Sequence, residues 1–578
     1  MKAYLQKFLN LFLDWKDNSQ SLKWAYGISK QYRRYVLGFL VINLVTMLIS
    51  LVSSVASRYV VDAATGFRSE LFFRYIFIML GASVLSIVIS TCSSMFSSYV
   101  REKFACGIRA DMFDRVQRSN WLRLSKYHSG DLMTRLTNDI VEVSSSVIEI
   151  VPSAIVSVVQ LSLVLVILLK YDPTLAVIGL IVGPLGALGA MMVRRKYSLY
   201  QKLLQENQAQ LNAFLQESLT NINVVKTFQM EEANNDRLDA IREHRLTLVM
   251  KSNAVGNLMR AMMRLVYGVG YVVAFSWCAY RLSTSDGVTY TYGTMTLFLS
   301  LVSQVQGSIQ SLGNILPRTF SLLISAKRLR EITELDTEEA DIPETMPKSA
   351  GLRARDLSAG YDPEKGNVLK GLNFEIPAGC RVGIVGSSGA GKTTLIRLLL
   401  ALLKPEAGTL EYLDEQGRAE AASPATRRFI SYVPQGNTLL SGTVRSNLAA
   451  GAPNATDEQM WRALELADAA DFVRKTAKGL DTPLAERAGG ISEGQAQRIS
   501  IARALLRDRP VLILDEATSA LDEATEARVF RRITDGCSKT CFIITHRRSM
   551  LRYCDMTLEV RDDGSVEAVR QTAQECAL

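Results

Sequence analysis

At 578 residues the chain exceeds what one hydrophobic core supports, so two or more domains are expected. Hydrophobic residues make up 48% of it and the mean hydropathy is +0.11, between the values of a soluble enzyme and of an all-membrane chain. That apolar content excludes a disordered chain, and only 37 Gly and 14 Pro exclude a collagen-like fibre. The net charge of +9 has a location: residues 1–350 carry 36 Lys+Arg against 27 Asp+Glu, and the remainder balances at 30 against 30. Basic excess among apolar stretches follows membrane topology, so a lipid bilayer is expected and a nucleic-acid partner is not. Eight scattered Cys with no CxxC pair, beside only three His, point to free thiols in a reducing compartment.

A hydrocarbon core of roughly 30 Å needs about 20 apolar residues of helix. Five uncharged runs meet that length: Val36–Ser57, Tyr75–Val100, Ile150–Leu169, Thr174–Val193 and Val288–Pro317. A sixth, Leu265–Tyr280, is completed by the turn that holds Arg260 and Arg264. The first run starts too far in, and is too long, for a cleaved secretion signal. Basic residues Lys23, Lys30, Arg33 and Arg34 precede span one; Arg101, Lys103 and Arg109 follow span two, and Arg194, Arg195 and Lys196 follow span four. The positive-inside rule then places both termini and two long excursions in the cytoplasm. Those excursions read as helix over Ile108–Ser119 and Leu211–Phe228. On the last span Ser303, Gln306, Gln310 and Asn314 form a polar stripe, which faces either a substrate path or a neighbouring helix. Arg260 and Arg264 read as snorkelling cations or as contacts for an anionic substrate.

Glu331–Pro347 is acidic and proline-containing, a linker by composition. The expected division is therefore a membrane domain over 1–330, a linker over 331–350 and an α/β domain over 351–578. Gly386-Ser387-Ser388-Gly389-Ala390-Gly391-Lys392-Thr393 follows the apolar run Arg381–Val385 and precedes a helical run that opens with Thr394. Strand, GxxxxGK[ST] and helix in that order make a phosphate-binding loop. Its glycines let backbone N–H groups close round phosphates at a helix N-terminus. Lys392 is expected at the β- and γ-phosphates of ATP, and the Thr393 hydroxyl at Mg²⁺. Val511–Leu514 reads as a buried strand delivering Asp515 to the metal and Glu516 towards an attacking water.

With these motifs the chain resembles a half-transporter of the ATP-binding cassette superfamily with the type IV exporter architecture. The resemblance implies an α-helical membrane domain with six spans extended into the cytoplasm, plus an α/β P-loop NTPase domain with a helical subdomain. Within it Tyr361 matches the aromatic residue that stacks on adenine, Gln435 the residue that senses Mg²⁺ and the membrane domain, and His546 the switch histidine at the γ-phosphate. Ile491-Ser492-Glu493-Gly494-Gln495 matches the family signature, and Ser519-Ala-Leu-Asp522 the loop that follows the two acids. Gly130–Arg135 with Asn138-Asp139, and Glu217–Leu219 with Val225–Phe228, resemble the cytoplasmic loops whose tips touch nucleotide domains. Docking of the second loop on a partner's nucleotide domain is implied by the family alone.

Phosphoryl transfer to water needs positioning and charge neutralisation more than covalent help. The catalytic set is therefore Lys392, Gln435, Glu516 and His546, with Thr393, Gln435 and Asp515 at Mg²⁺. The family closes each ATP with the signature of a second half-transporter, so a dimer is expected. Glu493 departs from the signature, which has glycine there. An acid in a first helical turn suits the helix dipole, yet a carboxylate about 7 Å from a phosphate costs roughly 2 kcal/mol unless it points away. The leading expectation is an ATP-driven exporter of a lipophilic, drug-like or peptide-like substrate in a bacterial inner membrane, acting as a homodimer or heterodimer. An importer of a metal chelate or cofactor is the alternative, and an ATP-gated channel or regulator a third reading. Six spans argue against a soluble P-loop enzyme, and with about 35 residues before the first span a built-in protease is not expected.

Overall fold

The computed structural model describes residues 15–66, 69–284, 290–338, 347–362, 364, 366–485, 490–536 and 539–570. The predicted start of the last span at Val288, most of the linker, Cys537 and Cys576 lie outside them. Two compact units emerge: Met1–Asp114 with Ser129–Glu334, and Arg115–His128 with Leu335–Leu578.

The first unit is built on six long helices: α1 (Arg33–Thr65), α2 (Ser69–Arg118), α3 (Ile140–Tyr171), α4 (Pro173–Thr220), α5 (Glu231–Thr284) and α6 (Tyr292–Thr333). Each carries one of the six apolar runs in order. At 1.5 Å per residue, the 50 residues of α2 and the 54 of α5 far outreach a bilayer core. Four described stretches are long and apolar enough to cross a membrane: Ser19–Thr65, Glu70–Arg118, Ser129–Tyr171 and Glu231–Thr284. In α4 the apolar helix Pro173–Val182 leads into residues whose side chains lie outside the described set, and α6 is interrupted by its glutamines. Asp172 starts α4: its carboxylate accepts from Thr174 N–H at 2.9 Å, with Pro173 at the first helical position where no N–H is needed. The same buried carboxylate accepts from Trp277 Nε1 at 2.9 Å and from the Tyr290 hydroxyl, tying the turn to α5 and to the approach of α6.

The second excursion is not one helix. It breaks at Asn221, whose amide donates to the Glu217 carbonyl at 3.1 Å, and a short helix Ile222–Thr227 follows. A side chain that satisfies a terminal carbonyl competes with helix continuation. The first excursion stays helical to Arg118, and Asn120 then caps the four-residue helix Trp121–Leu124. Asp131, Arg135 and Asp139 from the first loop motif are held by ion pairs at the end of α6. Arg135 meets Asp131 at 2.9 Å and Glu331 at 2.7 Å, and Arg328 meets Asp131 at 2.6 Å and Asp139 at 3.2 Å, a charged clamp on α6. The segment that groups with the second unit lies just upstream, at Arg115–His128.

The second unit holds β1 (Gly351–Ala359), β2 (Leu369–Ile376), β3 (Arg381–Gly386), β4 (Ala407–Leu413), β5 (Ala419–Ala421), β6 (Ile430–Val433), β7 (Gly442–Thr443), β8 (Pro483–Leu484), β9 (Val511–Asp515), β10 (Thr540–Ile544), β11 (Met556–Val560) and β12 (Val566–Arg570). The antiparallel sheet runs β2-β1-β4-β5, and the main sheet β12-β11-β3-β10-β9-β6. Every residue of β9 and β10 is buried, as continuous apolar runs in a covered parallel sheet must be. Helix α7 (Lys392–Leu399) leaves β3, α8 (Glu493–Leu506) belongs to a helical subdomain with Asp457–Leu466, and α9 (Glu523–Gly536) follows β9.

Candidate active site

Parallel register gathers the site. Ile544 of β10 lies beside both Ile384 of β3 and Asp515 of β9, and Val433 of β6 lies beside Leu514. The four strands thus end together, and the residues just past their ends share one edge: the phosphate loop after β3, Gln435 after β6, Glu516 after β9 and His546 after β10. Ligands of open α/β sheets bind at this carboxyl edge.

Three loop glycines have positive φ: 157° at Gly386, 88° at Gly389 and 114° at Gly391. A Cβ on Gly386 would sit 2.4 Å from the Val560 carbonyl, and one on Gly391 2.9 Å from Leu369, so backbone conformation and space both demand glycine. Ser387, Ser388 and Gly389 are exposed while Ala390 and Thr394 are buried beneath. Lys392 Nζ donates to the carbonyls of Gly386 (2.7 Å) and Ser387 (2.8 Å), holding the ammonium over the loop.

Glu516 is the centre of the arrangement. Gln435 Nε2 donates to one of its oxygens at 2.8 Å, and His546 Nε2 lies 2.8 Å from the other, a contact that places a proton on Nε2. The residue is held at φ 49°, a left-handed conformation that costs a non-glycine residue on the order of 1–3 kcal/mol. Asp515 is buried beside it and accepts from the Tyr432 hydroxyl at 3.2 Å. Burial pushes the Asp515 carboxyl above its ordinary range; the Glu516 charge adds to this, and Tyr432, Arg397 and Lys392 oppose it. A cation beside Asp515 would reverse that balance. The oxygen donors Asp515, Thr393 and Gln435 suit Mg²⁺, which characteristically takes one or two carboxylates plus substrate phosphates. Among the described residues no His, Cys, Asp and Glu cluster forms a dedicated cage.

Tyr361 joins this edge through α7: its hydroxyl lies 3.1 Å from Thr394 Oγ1 and accepts from Arg397 Nη1 at 2.6 Å. The signature makes its contacts elsewhere. Ser492 and Gln495 form a capping box at the start of α8: the Ser492 hydroxyl accepts from Gln495 N–H at 3.3 Å, and the Gln495 side chain accepts from Ser492 N–H at 3.0 Å. Gly494 packs so closely that a Cβ would lie 2.9 Å from the Ala520 carbonyl. Glu493 is exposed at the first position of α8. Asp522 accepts from Thr525 N–H at 2.9 Å, opening α9, and these bonds hold its carboxyl below the usual range.

Sequence reasoning missed Gln497, which is fully buried and bridges α8 to Ser519 Oγ (3.0 Å) and Ala520 N–H (3.1 Å). It also missed Glu526, buried between Thr518 and Arg547, the residue after His546. The Ala496–Ala502 helical text shows an apolar face, and a glutamine interrupting it was the available signal.

In the membrane unit α6 carries two polar faces. Ser303, Gln310 and Asn314 are exposed. On the other face Gln304 donates to Ser54 Oγ (2.9 Å) and accepts from Gln160 (3.1 Å), Ser300 meets Ser54 (2.8 Å), and Ser311 meets Ser157 (3.0 Å). A cavity of about 360 Å³ lies beside this cluster, lined in part by Asn43, Glu149, Ser157, Gln160 and Ser308. Arg101 (3.0 Å) and Arg318 (2.7 Å) both pair with Glu149. Arg260 is exposed and bonds Asn257 at 2.6 Å, and Arg264 is exposed too.

A phosphate loop, two strand-end acids and a histidine on one sheet edge define a P-loop ATPase, here in one chain with a helical membrane unit. Family comparison agrees: the ABC transporter transmembrane region family matches residues 35–309, and the ABC transporter family matches 369–519. The chain belongs to the ATP-binding cassette transporters; it is an integral membrane protein that binds ATP and couples its hydrolysis to transport. It is similar to the ATP-dependent lipid A-core flippase of Syntrophus aciditrophicus (strain SB), 29% identical over 487 residues, with 82% of this chain and 80% of that protein covered. The uncharacterized ABC transporter ATP-binding protein YknV of Bacillus subtilis (strain 168) is 27% identical over 542 residues, covering 93% and 89%. The solved structure of a bacterial Atm1-family ABC exporter with ATP bound shares the fold, with a TM-score of 0.77 at 24% identity, covering 93% and 95%.

Proposed function

We propose that the chain is an exporter half: two copies close on ATP, hydrolyse it and alternate the access of a substrate path through the membrane unit. The observation that carries the hydrolytic part is Glu516 held between Gln435 and His546 at 2.8 Å each, one residue beyond Asp515. Lys392 and the loop amides of Gly386–Thr393 take the β- and γ-phosphate charge. Tyr361 stacks on adenine. Thr393, Gln435 and Asp515 would hold Mg²⁺, which would supply charge neutralisation for phosphoryl transfer. Glu516 orients and deprotonates water, and His546 turns to the γ-phosphate. Ser492, Gly494, Gln495 and Asp522 of one copy complete the site of the other.

The membrane domain is assigned to 1–330, a linker to 331–350 and the nucleotide domain to 351–578, with both termini cytoplasmic and a bacterial inner membrane as the location. The substrate is a lipophilic, drug-like or peptide-like molecule; a relative named as an ATP-dependent lipid A-core flippase supports that class. Glu516→Gln keeps the size and removes the base. In purified protein in lipid, turnover should fall by about two to four orders of magnitude while ATP still binds. Near-normal turnover in the mutant overturns the assignment.

A further inference from the structure

We propose that Arg397 is a positioning residue for the base of ATP, tying the Tyr361 ring to Trp121 on the short helix Trp121–Leu124. The inference rests on Tyr361 as the adenine platform.

The guanidinium carbon of Arg397 lies 4.6 Å from the centroid of the Trp121 ring, within cation–π range, and 5.3 Å from that of Tyr361. Its Nη1 also donates to the Tyr361 hydroxyl at 2.6 Å. Thr394, one turn earlier on α7, meets the same hydroxyl at 3.1 Å. The helix that begins with Lys392 therefore fixes the aromatic ring at two points, and base and phosphates are measured from one rigid element.

The Trp121 side of the contact is equally anchored. Asn120 N–H donates to the Asp336 carbonyl (2.9 Å), Glu338 N–H to the Arg118 carbonyl (2.8 Å), and Trp121 N–H to the Glu338 carboxylate (3.4 Å). Arg427 pairs with that carboxylate, and Leu122 packs on the core of the nucleotide unit. A cleft of about 960 Å³ opens between this segment and Tyr361, lined by Asn120, Leu122, Gly360, Tyr361, Ala401 and Pro424 among others. A ring tilted by an arriving purine pulls on the guanidinium, and the guanidinium on Trp121. Only a planar fork faces a ring and a hydroxyl at once; a lysine is a point charge on a flexible stem.

The test uses the full chain in lipid, with KM and kcat measured for Mg-ATP and Mg-CTP. Arg397→Ala should raise the KM for ATP about three- to tenfold and narrow the preference for ATP over CTP. Arg397→Lys should do the same, since charge alone does not orient the ring. Trp121→Ala should raise the KM by a smaller factor, and the double mutant should be no worse than Arg397→Ala. Additive effects, full rescue by lysine, or a fall in kcat with KM unmoved overturn the proposal. Tyr361→Ala separates the two readings. If it leaves both KM values unmoved, the adenine platform itself is wrong; if it raises them and Arg397→Ala does not, only the role of Arg397 falls.

Discussion

Glu516 and Lys392 sit on the same edge yet fail differently when removed. Lys392 offers charge-assisted hydrogen bonds to phosphate, worth about 1.5–3 kcal/mol, so Lys392→Ala should weaken ATP binding roughly ten- to a hundredfold. Equilibrium binding of a labelled nucleotide checks this, and Glu516→Gln should leave the same number within about twofold. The buried amide of Gln497 is a separate case. Gln497→Ala strands the Ala520 N–H and should cost about 1–3 kcal/mol of stability, read from thermal unfolding. The motif from Gly386 to Thr393 was legible because its glycines, lysine and threonine form a local pattern between a strand and a helix, and the structure places it between β3 and α7. Gln497, Glu526 and Tyr432 were not. Each acts through a partner more than 7 positions away in sequence, and no local pattern marks such a pairing.

Element by element, length was the informative quantity. Five apolar runs met the minimum that hydrocarbon thickness sets, and the sixth, Leu265–Tyr280, fell short of it yet lies within the long helix α5. The end of α4 at Asn221 was missed because one side-chain hydrogen bond decides it, and helical spacing continues on both sides. The stripe on α6 was half legible: its sequence spacing marks a polar face but not the second one turned to Ser54, Ser157 and Gln160. Cysteines at Gln310 and Gln304 separate the faces. Gln310→Cys should react with a water-soluble thiol reagent at a rate that ATP changes, whereas Gln304→Cys, packed between α1 and α3, should be slow in every state. The reverse order would move the substrate path to the face of Ser300 and Gln304.

For the assembled transporter, Glu493 bears on the identity of the partner. In a self-paired chain both composite sites contain this glutamate and both must turn over. Its exposed position on the first turn of α8 allows the carboxylate to point away from phosphate, so Glu493→Gly should leave ATPase equal or raised. Purified alone, the chain should form a dimer whose ATPase requires Glu516. An inactive monomer restored only by a different half-transporter would establish the heterodimer.

The cap at the head of α8 has a consequence for how that closure can be dissected. A hydroxyl owns one proton and two lone pairs, and Ser492 spends a lone pair on Gln495 N–H while its proton stays available. Holding the helix and greeting a phosphate are therefore chemically independent tasks of one oxygen. Aspartate performs the first as well as serine does but has no proton to give and carries the wrong sign for the second. Opposed to a phosphate at about 4 Å, it costs roughly 4 kcal/mol at an effective dielectric near 20. Ser492→Asp should thus keep the melting temperature and the monomer's nucleotide affinity while abolishing ATP-driven dimer closure, measured by cross-linking or by distance between labels. Loss of both together would mean that the hydroxyl serves the helix alone.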